Sequence, residues 1–184
     1  MITLGLLFMY LFVTFICLIL FLVYFLKFLF KKAAFPKKLS ITTLSLVTIF
    51  SGFLIYHEYF FTFNNISIEY SENPVASPNN KKAAQVHYEY YGGAAGGVNA
   101  LVEVTDEANN KKMIYYADAK GSIRLLWKND TTLQILNNNS EYPQSNRDAT
   151  LNVETEIYHD TGRACKSILL KNSYEACYQK NSET

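Results

Sequence analysis

Cys165 and Cys177 are the pair in this 184-residue chain best placed for covalent chemistry. If residues 163–170 and 173–179 form a hairpin centred on Lys171, the two cysteines fall opposite one another. Non-hydrogen-bonded antiparallel pairs bring Cα atoms to about 4.5 Å, within disulfide range. On a continuous helix the same residues would stand about 18 Å apart. The spacing therefore predicts a structural disulfide, adding on the order of 3 kcal/mol by restricting the unfolded chain. A catalytic redox pair would normally be a close Cys-x-x-Cys, and zinc would need further ligands that are not grouped here.

The second concentration of special residues is Gly92-Gly93-Ala94-Ala95-Gly96-Gly97, which holds half of the chain's eight glycines. A phosphate cradle requires a helix N-terminus behind the glycines, whereas Val98-Asn99-Ala100-Leu101 reads as a strand. Strand parity favours a hairpin instead. Inward residues are even-numbered before and after the run, so the connection needs an odd number of loop residues or a bulge, and closing on Tyr90 opposite Val98 meets that condition with a loop of residues 91–97. Glycines accept the positive φ angles of such a loop and leave a tip poor in side chains, open to a partner's backbone. Structural loop and recognition loop both stay open, and Gly92, Gly93, Gly96, Gly97 and Tyr91 are the candidate binding residues.

Other chemistry-bearing residues are scattered. His87 and Glu89 share the polar face of one strand with Glu103 on the next, and His159 precedes Asp160 at a turn. No spacing motif joins them at a metal, so solvated histidines are expected. Glu154 and Glu156 alternate with apolar residues as any exposed strand face does. No catalytic residue, metal ligand or cofactor is assigned. Ten tyrosines beyond residue 64 supply an amphipathic aromatic content suited to core, rim or binding surface.

The elements that would position these residues are strands. Ala84, Val86, Tyr88 and Tyr90, then Val98, Ala100, Val102 and Val104, then Ile123, Leu125 and Trp127, then Leu151, Val153, Thr155 and Ile157 alternate with polar neighbours. Turn residues separate them at Asn109-Asn110, Lys120-Gly121, Asn129-Asp130, Asn137 to Asn139 and Thr161-Gly162. Residues 113–117 are apolar on both faces and predict a central strand. Residues 137–148, with Pro143, read as the most mobile long connection. The expected domain is a mostly antiparallel small sandwich or curled meander over residues 64–184.

Ahead of it, residues 1–26 and 39–56 are apolar stretches near the ~20 residues that cross a ~30 Å hydrocarbon core. Lys27, Lys31, Lys32, Lys37 and Lys38 lie between them. The first stretch lacks the basic start and cleavage site of a signal peptide. Residues 1–63 are therefore read as a two-helix transmembrane hairpin with a cytoplasmic loop at 27–38 and both termini extracytoplasmic. Ser40, Thr42, Thr43, Ser45 and Thr48 are expected to pack against the first span. Tyr56, Tyr59, Phe60, Phe61 and Phe63 read as an interfacial aromatic belt. Beyond Phe63 twelve basic residues face fifteen acidic ones. That balance excludes the basic patch of a nucleic-acid binder.

Ser77-Pro78-Asn79-Asn80, Gly92-Gly93-Ala94, Val102-Glu103-Val104, Lys111-Lys112-Met113-Ile114-Tyr115-Tyr116 and Leu125-Leu126-Trp127-Lys128-Asn129-Asp130 together resemble an uncharacterised bacterial family. Its members are small exported domains on N-terminal membrane anchors, a domain of unknown function. The resemblance covers about residues 77–136 and implies a bacterial envelope protein with no catalytic residues to carry over.

Taken together, the residues predict an α+β, membrane-anchored protein of a bacterial inner or plasma membrane that works by binding. Its expected partners are the lipid bilayer and an envelope protein. The alternatives are an envelope hydrolase or metal-dependent enzyme using His87 or His159, and a structural or immunity-type membrane protein.

Overall fold

The computed structural model describes residues 2–31, 34–93 and 96–180, with side chains described from Met9 onward and not at Lys31. Lys32, Ala94, Ala95 and Thr184 lie outside the described residues. The chain divides into two compact units, Met1–His57 and Glu58–Thr184.

The first unit is a pair of helices, α1 (Ile2–Lys31) and α2 (Lys37–Tyr59), the latter ending just inside the second unit. Both are long and apolar enough to cross a membrane. Their large side chains are exposed, Phe30 at 81% and Leu44 at 68%, a larger apolar surface than a soluble monomer ordinarily shows. Lys27 and Lys31 lie within α1 and Lys37 and Lys38 begin α2, so the connection is shorter than the lysine spacing implies. Tyr10 holds the helices together, its hydroxyl donating to the Leu46 carbonyl and its ring stacking on Phe50 at 6.1 Å. Of the small hydroxyl residues expected at this seam, Thr43 is buried. Thr42 and Thr48 are exposed and bond to the carbonyls of Lys38 and Leu44, the usual outlet for a helical threonine.

The second unit is built on two sheets. The larger runs β1 (Tyr70–Ser71), β3 (Lys82–Tyr91), β4 (Gly97–Asp106), β5 (Lys111–Asp118), β9 (Glu156–His159) and β10 (Ala176–Tyr178), with β2 (Val75–Ala76) also on β3. The smaller is β6 (Arg124–Trp127), β7 (Thr132–Leu136) and β8 (Ala149–Asn152). Even-numbered residues of β3 and β4, including Val86, Ala100 and Val102, meet Leu125, Leu133, Ile135 and Leu151 from the small sheet, and Ile123 just before it, in one core. The domain is thus a sandwich with mostly antiparallel pairing.

Two pairings are parallel, β5 with β9 and β9 with β10. Parallel neighbours need a crossover, and here the whole small sheet serves as that crossover between β5 and β9. The alternating run from Leu151 to Ile157, expected as one strand, breaks at residues 153–155 into β8 and β9, one in each sheet. Periodicity hides the break because Leu151, Val153 and Ile157 are all buried. Central strand β5 contains a second departure: a bulge opposite Val102 and Glu103 sends Tyr115 and Ala117 to the core, while Met113 and Tyr116 face the other way.

Cys165 and Cys177 are bonded, with Cα atoms 5.4 Å apart. They are not opposite each other in a hairpin. Cys165 sits on a single helical turn, α3 (Arg163–Lys166), and Cys177 on β10, which adds parallel to β9.

The 137–148 connection is pinned where it leaves β7. Asn137 is fully buried, its side chain donates to the Tyr115 hydroxyl (2.8 Å) and the Asp118 carbonyl (2.9 Å), and it accepts from the Lys120 N–H (2.7 Å). At the far end Arg147 pairs with Asp160 at 2.7 Å. Replacing Asn137 with Ala strands the Lys120 N–H in the interior, and the expected cost is about 2–4 kcal/mol. Denaturant unfolding checks this as a lower midpoint with an unchanged slope.

Candidate functional site: a tyrosine and glycine groove at the hairpin tip

The β3–β4 hairpin pairs from Lys82↔Asp106 to Tyr91↔Gly97, ten residues on each strand. Tyr90 pairs with Val98, the register expected from parity, and one further pair shortens the loop to residues 92–96. Strands of ten residues run about 33 Å, whereas the four- and five-residue strands of the small sheet reach about half that. The hairpin therefore overhangs its cover. Where the overhang begins, core-facing positions change from aliphatic residues to Tyr88 and Tyr90.

Those tyrosines line an open cavity of about 540 Å³ with Tyr70, Glu72, Val98, Ala119, Lys120 and Gly121. Tyr70 stacks on Tyr88 at 5.8 Å, following their pairing between β1 and β3. The Tyr88 hydroxyl donates to Glu72 at 2.5 Å, and burial together with that carboxylate pushes its pKa up. Tyr70 and Tyr90 are both 56% exposed. A second hollow of about 420 Å³ shares Tyr90 and Val98 and is lined by Glu69, Tyr91, Gly92, Gly93, Gly96 and Gly97. All five candidate binding residues thus border one hollow.

Glycine is required at particular points of this rim. Gly92 has φ +79°, and a Cβ on Gly96 would lie 1.5 Å from the Tyr91 carbonyl oxygen. Tyr91 itself reaches Asp118 (3.3 Å), which also pairs with Lys120. The rim offers exposed aromatic faces, backbone, the carboxylates of Glu69, Glu72 and Asp118 and the ammonium of Lys120 nearby, groups suited to a binding surface.

The opposite face of the large sheet differs from expectation. His87, Glu103 and His159 are 5%, 8% and 1% exposed, not solvated. Over His159 the cover is the segment after α2: Phe61 and Phe63, read from the sequence as part of a membrane belt, pack on Tyr116 and His159, with Phe61 4.9 Å from His159. Tyr116 stacks on His159 at 4.8 Å and donates to Glu89 at 2.8 Å, with Asn99 bridging both. Only the cover distinguishes these residues from a wet polar face, and strand periodicity carries no trace of it.

On this face Ser71 Oγ lies 2.7 Å from His87 Nδ1, while His87 Nε2 points toward Glu103 at 3.8 Å. Lys111 holds Glu103 at 2.8 Å. The His87 pKa is lowered by burial above all, with Glu103 opposing and Lys111 adding. Such a row can take a proton from Ser71, although the Glu103 contact is longer than a hydrogen bond. Sequence reasoning missed Ser71, which lies on a two-residue strand without a periodic signal. Among the described residues no group of three potential metal ligands comes together.

The profile of the family of unknown function DUF5412 matches residues 32–160, well over half of the chain. The chain belongs to that family. The match extends the resemblance seen at residues 77–136 to take in α2 and β1 through β9. In this DUF5412 protein the groove, the hairpin and Ser71 all lie within the matched segment; α3, β10 and both cysteines lie beyond it. No curated protein and no solved structure matches the chain.

Burial, aided by Arg163, lowers the His159 pKa to about 4, whereas the unfolded chain titrates near 6.5. The folded state therefore binds fewer protons than the unfolded one between these values. Stability is complete above about pH 6.5 and falls as pH drops toward 4, by roughly 3 kcal/mol in all. His87 contributes in the same direction. A His159→Phe variant, which keeps the ring packing, is expected to lose correspondingly less stability between pH 7 and pH 4, as read by denaturant unfolding.

Proposed function

We propose that this protein is a two-pass membrane protein of the bacterial cell envelope whose β domain, on the extracytoplasmic side, binds an envelope protein through the hairpin-tip groove. The observation that carries this reading is the overhang. Tyr70 and Tyr90 are held rigidly by strand pairing and left uncovered beside a glycine rim. Rigid exposed tyrosines are favourable binding residues because little side-chain entropy is lost on contact. Lysines at the facing helix ends support a cytoplasmic turn and extracytoplasmic termini. The bonded pair Cys165 and Cys177 suits an oxidising compartment.

A photo-crosslinking residue at Tyr90 in intact cells is expected to capture a discrete envelope protein, and one at Leu126, exposed on β6, to capture none of it. The change Tyr70→Ala, made in the chain that carries the probe at position 90, should abolish capture while lowering stability by no more than about 1 kcal/mol, as for an exposed position. Equal capture from both positions overturns the groove, and a reporter after Gln179 that registers as cytoplasmic overturns the orientation.

The Ser71–His87 distance favours one second reading, an acyl hydrolase with Ser71 as nucleophile and His87 as base. A fluorophosphonate probe is expected to label Ser71 in that case, and Ser71→Ala or His87→Ala to abolish labelling. Absence of label from the folded wild-type chain removes this reading and leaves the binding module.

A further inference from the structure

Between α3 and β10 two adjacent large apolar side chains, Ile168 and Leu169, stand 59% and 57% exposed. Their backbone is fixed by the unit they belong to. Ser167, fully buried, donates its hydroxyl to the Phe61 carbonyl at 2.6 Å, and the Ile168 N–H donates to the Tyr59 carbonyl at 2.9 Å. Lys166 pairs with Glu58 at 2.5 Å. Further bonds from Leu170 to Ser167 and from Ser173 to Leu170 close the turn, and the Cys165–Cys177 bond clamps its two ends.

Tyr59 is the last residue of α2, a helix of 23 residues long and apolar enough to cross a membrane. Around a spanning helix the hydrocarbon gives way to headgroups at its end, where tyrosines are favoured. The hydrogen bond to Tyr59 holds the Ile168 backbone beside the last residue of that helix. Lys171, exposed on the same turn, suits contact with anionic headgroups.

We propose that Ile168 and Leu169 form a lipid-inserting loop, seated in the interfacial layer of the bilayer that α2 crosses. The loop turns the β domain from a tethered body into one docked on the membrane surface. This inference rests on the two-span reading above and adds a second membrane contact to it. The occupant is lipid because the loop is continuous with the end of the spanning helix.

The test uses the full chain in vesicles of phosphatidylethanolamine and phosphatidylglycerol, some with acyl chains brominated near the headgroup. Single tryptophans are placed by Leu169→Trp, by Phe53→Trp on α2, and by Leu126→Trp on β6, each in a Trp127→Phe background. The Leu169→Trp variant is expected to lose most of its emission to shallow bromines, and the Leu126→Trp variant none. If Phe53→Trp is quenched and Leu169→Trp is not, the span stands and the loop proposal falls. If neither is quenched, the two-span reading fails and takes the proposal with it. A blue shift at Leu169→Trp that follows protein density without quenching assigns the loop to a second copy, and equally overturns the proposal. Should Trp127→Phe impair folding, wild-type chain labelled by diazirine lipids gives the same readout: label on residues 167–173 supports the loop, and its absence there beside labelled α2 peptides overturns it.

Discussion

The β unit depends on the pairing of β3 with β4. Ten consecutive pairs hold these strands in register, so each residue of Lys82–Tyr91 and Gly97–Asp106 is committed to one face of the sheet. One face receives the small sheet and becomes the aliphatic core. The other receives Phe61 and Phe63 and becomes an aromatic, histidine-bearing layer. Slipping the register by one residue would exchange Val86 and Val102 for His87 and Glu103, an exchange neither layer can absorb. The tyrosine groove exists because this ladder is longer than the sheet that covers it.

Much of this was legible in the residues. The alternation of Ala84 to Tyr90 and Val98 to Val104 identified the two long strands, and even parity on both sides of the glycines predicted the Tyr90–Val98 pair. Asn109 and Asn129 marked real turns: the first has φ +63°, and the second accepts the N–H groups of Thr131 and Thr132. These signals are local, and local chemistry suffices to produce them. What escaped depends on distant partners. Polar alternation at His87 and Glu103 describes a face that does not contact the aliphatic core, and it cannot report that both residues are buried or that Phe61 and Phe63 pack on Tyr116 and His159 of the same sheet. The cysteine spacing fits a hairpin, yet the same approach arises from a helical turn packed against a parallel strand. A strand periodicity of two also cannot register that the chain changes sheets at residues 153–155.

Belonging to DUF5412 gives these features a frame without giving them a task. The matched segment holds the apolar helix α2 and the sandwich up to Asp160, so that helix and the groove both lie within it. The bonded cysteines and the apolar turn between them lie past its end. In physical terms the β unit carries an exposed tyrosine and glycine groove at the tip of a long hairpin and a disulfide-clamped turn bonded to Tyr59.

The parallel placement of β9 beside β5 also governs how the chain reaches this state. A hairpin closes as soon as its second strand exists, but Tyr115 waits for Tyr158, and the small sheet must form in between. During synthesis the β5 edge stays open, an apolar strand with unpaired backbone available to any other chain. For this fold the vulnerable interval is a matter of order in time: a strand at the centre of the finished sheet waits for its second neighbour until the whole small sheet has been made.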